Sequence, residues 1–134
     1  MTSHQEIDKR SRALHRLIAE KIRQDPALFE NMKRTLARWR TIVSADSQPY
    51  LKEWERLVDQ GVDACLAVAT EDSERANAMR QASPFCGILT NEERWEFLLE
   101  WDKNHGASDQ EIKERRQKMI DDQYLLEKNN YFEK

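Results

Sequence analysis

Residues 80–101, RQASPFCGILTNEERWEFLLEW, decide how the chain is read. The residue before a proline is pushed toward extended backbone, so Ser83-Pro84 ends whatever helix precedes it. Gly87 permits a sharp turn. Thr90 and Glu93 then form a capping box, in which a hydroxyl and a carboxylate satisfy N–H groups that a helix start leaves orphaned. Beyond that cap the apolar residues recur at helical intervals. At 100° per residue Trp95, Leu98 and Leu99 share one side, and Phe97 and Trp101 lie nearly opposite. A helix that is apolar on two faces belongs in the centre of a bundle, or else its second face meets another chain.

The same punctuation extends outward in both directions. Ser3 with Glu6 and Ser108 with Glu111 repeat the capping box; Asp25 is expected as the N-cap of a helix with Pro26 at its first position, and Pro49 marks a further start. Gly106 closes a helix as a left-handed residue. Between these marks the expected helices run over about 4–24, 26–44, 71–82 and 91–104, with a last one from Ser108 onward. The first rests on Ile7, Leu14, Leu17, Ile18 and Ile22, and the second on Leu28, Phe29, Met32, Leu36, Trp39 and Val43. A further stripe, Leu51, Trp54, Val58, Val62, Cys65 and Ala69, is expected to break at Gly61 into two short helices. No strand-like alternation persists. The expected architecture is an all-α bundle of five to seven helices over residues 1–106, followed by a C-terminal helical arm over 107–134. In that arm Ile112, Met119 and Leu126 stand seven apart, but Arg116 and Gln123 interrupt the stripe. It reads either as a loosely docked arm ordered by a partner or as a polar helix lying along the bundle.

Composition supports the class. The 134 residues include 35% charged side chains but only 3 Gly and 3 Pro, and the mean hydropathy is −0.92. Such chains favour helices with solvated outer faces, and four Trp argue against global disorder. No apolar run approaches a membrane span and the N-terminus lacks a signal-peptide core. Two cysteines do not suggest a disulfide framework, so a cytoplasmic location is expected. The net charge of −3 is unevenly spread: residues 1–45 carry +5 and the remainder −8. Either the basic segment lies against the acidic one, or it faces an external anion.

Chemistry-bearing patterns are sparse. His4, His15, His105, Cys65 and Cys86 contain no metal-ligand spacing, so no metal and no cofactor are implied. No phosphate loop or nucleophile–base constellation occurs, and a non-enzymatic protein is expected. Residues 83–89 admit three readings, in this order: an apolar plug of the core, a docking knob, and a reactive Cys86 thiol. On the second helix Lys33, Arg34, Arg38 and Arg40 form a basic side suited to phosphate contacts, with a solvated face as the simpler reading.

The phrases LHRLIAEKIRQDP, LARWR, YLKEWERLV and RQASPFCGILTNEERWEFL together resemble small bacterial helical proteins that form the antitoxin half of two-gene toxin–antitoxin modules. The resemblance covers roughly residues 13–102 and carries no catalytic residues. It implies a cytoplasmic regulator that neutralises a protein partner, a toxin, with operator DNA as a further ligand. The C-terminal segment departs from it, because its charge is mixed where antitoxin tails are commonly acidic.

The expected function is therefore non-enzymatic protein binding. Arg80, Phe85, Arg94, Phe97, Trp101, Ile112, Met119 and Leu126 are the expected partner contacts. The alternative is nucleic-acid binding through Lys33, Arg34, Arg38 and Arg40. A homodimer is compatible with either, and no membrane partner is expected.

Overall fold

Helix formation follows the punctuation of the sequence. The computed structural model describes residues 3–132, and side chains through residue 128; the end of the expected arm, residues 133–134, lies outside the described residues. These form an all-α bundle of seven helices: α1 (His4–Gln24), α2 (Ala27–Ile42), α3 (Gln48–Gln60), α4 (Val62–Thr70), α5 (Glu74–Gln81), α6 (Asn91–Asn104) and α7 (Asp109–Phe132). No described helix is long and apolar enough to cross a membrane. The chain resolves into two compact units, one ending at Leu89 and the other beginning at Thr90.

In the first unit α1 packs on α4 and α5, α2 on α3, and α3 on α4. The Ser3 hydroxyl accepts from the Glu6 N–H at 3.1 Å and starts α1. Gly61, at φ 120°, separates α3 from α4; the break needs a backbone conformation that would strain any side chain, and glycine has none. The core gathers Ile18, Ala19 and Ile22 of α1 with Phe29, Met32 and Leu36 of α2. Leu51, Trp54 and Leu57 of α3 and Cys65, Leu66, Val68 and Ala69 of α4 complete most of it. Fully burying each larger side chain stabilises the fold by roughly 1.5–3 kcal/mol.

Three local expectations need correction. The Asp25 side chain does not cap α2; its N–H closes α1 on the Lys21 carbonyl at 2.9 Å instead. Ile7 and Leu17 are exposed, and His15 occupies the core position on their helix. α5 starts only at Glu74, because the Ser73 hydroxyl accepts from the Ala76 N–H at 3.1 Å.

In the second unit α6 and α7 pack together as a helical hairpin. The capping boxes of Thr90–Glu93 and Ser108–Glu111 are both formed. Gly106, at φ 100°, turns the chain between the helices, and the Ala107 N–H donates back to the Asp102 carbonyl at 2.9 Å. Ion pairs of Arg115 with Asp102 and of Arg116 with Glu96 align the helices antiparallel. Such exposed pairs contribute about 0–1 kcal/mol each, so they set register more than stability.

Candidate functional site

The segment between α5 and α6 is an interior structure. Phe85 is 1% exposed and Ile88 is buried beside it, both inside the first unit's core. The Phe85 ring stands edge-on to Trp54, with centroids 5.4 Å apart, and edge-on to His15 at 5.9 Å. The Trp54 indole N–H in turn donates to the Met79 carbonyl at 3.1 Å, so the aromatic cluster leaves no buried donor unpaired.

A polar relay holds this plug in place. His15 Nδ1 lies 2.7 Å from the Ser11 carbonyl, which can only accept, so the proton sits on Nδ1. Nε2 is then the acceptor, and the Ser83 hydroxyl, 2.7 Å away, donates to it. Ser83 Oγ also accepts from the Phe85 N–H at 3.2 Å. Burial disfavours the charged ring and outweighs the Ser11 bond, while the Arg80 charge adds to the shift; together they lower the His15 pKa to about 4.

Arg80 is likewise an interior group. Its Nη1 donates to the carbonyls of Ala69 at 3.1 Å and Glu71 at 2.8 Å, and Nη2 to Asn77 Oδ1. Arg12 Nε donates to the Thr70 carbonyl at 2.8 Å. The C-terminus of α4 is thus closed by two arginines, which satisfy its orphaned carbonyls and oppose its negative dipole end. Burial lowers the Arg80 pKa; nearby Arg12 lowers it further, and Asp8, Asp72 and Glu71 oppose the shift. Arg80 and Phe85, expected as partner contacts, are therefore corrected to structural roles, because each is enclosed by the core it stabilises.

The two cysteines differ sharply. Cys65 is buried, and desolvation pushes its thiol up to about 12, whereas Cys86 is exposed. One thiol is expected to react with a thiol-specific reagent in the folded protein and the second only after unfolding. Mass spectrometry before and after denaturant reads this directly; two equivalents under native conditions would contradict it. Among the described residues no three His, Cys, Asp or Glu side chains converge on a metal-sized site.

The remaining expected partner contacts lie in the second unit. Arg94 is exposed, and Phe97 and Trp101 are half-buried. Phe97 stacks on Trp101 at 6.2 Å, and Trp101 stacks on His105 at 4.0 Å, forming a ladder down one side of α6. Ile112 and Met119 are half-buried and Leu126 is 59% exposed. Sequence reasoning missed Ile120, Tyr124 and Leu125, which are 50%, 64% and 53% exposed. The i, i+4 spacing of Ile120 and Tyr124, adjoining the Ile112/Met119/Leu126 stripe, was the available signal.

The basic side of α2 is largely engaged. Arg40 pairs with Glu55 at 2.8 Å and also binds Gln48, and Lys33 pairs with Glu30 at 3.0 Å while covering the Phe29 ring. Arg34 donates to Asn31 Oδ1, which leaves Arg38 as the exposed cation of the four without a side-chain partner among the described residues.

No family model, curated protein or solved structure matches the chain.

Proposed function

We propose that this protein is a non-enzymatic protein-binding regulator, an antitoxin-like neutraliser, that docks its partner along α7. The observation that carries this reading is the unequal length of the hairpin. α6 has 14 residues and α7 has 24, so α7 runs on for about 15 Å beyond the reach of α6. Apolar side chains gather toward that overhang: Ile120, Tyr124, Leu125 and Leu126 are all at least half exposed. At 100° per residue these side chains surround the overhang and do not share one face, so a partner that covers them would wrap this end of α7. Tyr124 is suited to an anchor because a large ring with a polar tip adds contact area at low entropic cost. The half-buried Ile112 and Met119 extend the stripe toward the turn, and Arg94, Phe97 and Trp101 are further contacts on the same unit.

The test is capture of partners by tagged protein after nuclease treatment, comparing wild type with Tyr124→Asp/Leu126→Asp. A stoichiometric protein partner is expected with the wild type and is expected to be lost from the double variant. The helical circular dichroism is expected to stay unchanged, since both side chains are solvent-facing. The same proteins recovered at the same level from both would remove α7 as the docking element.

A further inference from the structure

A second charged surface lies in the first unit, on α1. Arg12, Arg16, Glu20 and Arg23 are spaced by four, four and three residues, which places them on one helix face. With Thr70 they line an open groove of about 580 Å³. Arg12 is fixed by its bond to the Thr70 carbonyl. Arg16, Glu20 and Arg23 are exposed and make no ion pair or side-chain hydrogen bond among the described residues. Glu20 is within helical reach of both Arg16 and Arg23 but neutralises neither. Along roughly 16 Å of helix the charges therefore run plus, plus, minus, plus.

We propose that this groove takes a protein segment whose charges run in the complementary order: two carboxylates, one cation, one carboxylate. The inference rests on the protein-binding reading but concerns a different helix and a different kind of contact. Arginine suits this role because its planar fork pairs with a carboxylate through two parallel bonds. A nucleic-acid strand fits the groove less well. Its charge is uniformly negative, so a phosphate would meet Glu20 between Arg16 and Arg23. The lining also holds no aromatic side chain on which a base would stack.

The test is fluorescence anisotropy with the full chain and three labelled probes. The first is an alanine-based peptide bearing Glu, Glu, Lys and Glu at the spacing of Arg12, Arg16, Glu20 and Arg23, made in both chain directions. The second has the same composition with the Lys moved to one end, and the third is an oligothymidylate of matching length. The complementary peptide, in one direction, is expected to bind at least about ten-fold more tightly than the scrambled one, since two attractive pairs replace two repulsive ones. Glu20→Lys is expected to erase that preference, and Arg16→Glu/Arg23→Glu to abolish binding. Equal binding of the two peptides, an oligothymidylate affinity matching the complementary peptide's, or no peptide binding would each overturn the proposal. Tyr124→Asp/Leu126→Asp is expected to leave peptide binding intact. Failure in the groove with α7-dependent capture preserved would remove this inference alone, and the converse would remove only the α7 reading.

Discussion

Phe85→Ala is expected to lower the free energy of unfolding by about 3–5 kcal/mol. The ring is 1% exposed and contacts Trp54 and His15 edge-on, so its removal forfeits both burial and two aromatic contacts and leaves a cavity. That loss is a large part of the 5–15 kcal/mol typical of natural domains, and the variant is expected to be partly unfolded at physiological temperature. Phe85→Leu, which keeps most of the volume, is expected to cost less than about 1.5 kcal/mol. Urea titration followed by circular dichroism measures both. A Phe85→Ala variant within 1 kcal/mol of wild type would mean that the segment between α5 and α6 is a detachable knob and not a plug.

The second large effect is a dependence on pH. An unfolded His15 takes up its proton near pH 6.5, whereas the folded one resists until about 4. Between these values the unfolded chain binds more protons, so stability falls as the pH falls. The contribution is intact above 6.5 and fully lost below about 4, a difference of about 3 kcal/mol. Protonation also converts Nε2 from acceptor to donor, so the Ser83 hydroxyl must turn its proton away and accept from Nε2 while it still accepts from the Phe85 N–H. His15→Gln is expected to flatten the stability profile over this window while leaving the loss caused by carboxylates at lower pH. An unchanged slope in the variant would place the responsible group elsewhere.

These two residues also show what was legible in the sequence. The capping boxes at Thr90 and Ser108, the Ser3 cap (formed without the reciprocal Glu6 bond), the break at Gly61 and the stripes of α2, α3 and α4 all rest on neighbours a few residues apart, and a local window contains them. A plug is the first reading of residues 83–89, because three apolar side chains in a short connection need somewhere dry to go, yet Phe85 is also expected at a partner surface, and only its burial decides between the two. The roles of His15, Arg12 and Arg80 were not legible. His15 meets Ser83 across 68 residues and Arg12 meets Thr70 across 58, and hydropathy assigns such side chains to the outside. A buried helix C-terminus needs donors, but nothing in a linear pattern says which arginine supplies them. Arg80 was therefore expected at a surface when it serves as a cap.

For the candidate surface the limit was of another kind. The Ile112, Met119 and Leu126 stripe was visible, whereas the exposure of Ile120, Tyr124 and Leu125 depends on how far α6 reaches along α7. That reach is set by the turn at Gly106 and by the pairing of Arg115 with Asp102 and Arg116 with Glu96. Position on a helix was readable; the length of its cover was not.

Amide hydrogen exchange on the captured complex tests the central claim most directly. The exposed stretch around residues 120–128 is expected to exchange more slowly with the partner bound than without it, while the core amides around Trp54 and Phe85 stay as they were. Slowing confined to other helices, with α7 unaffected, would contradict the account.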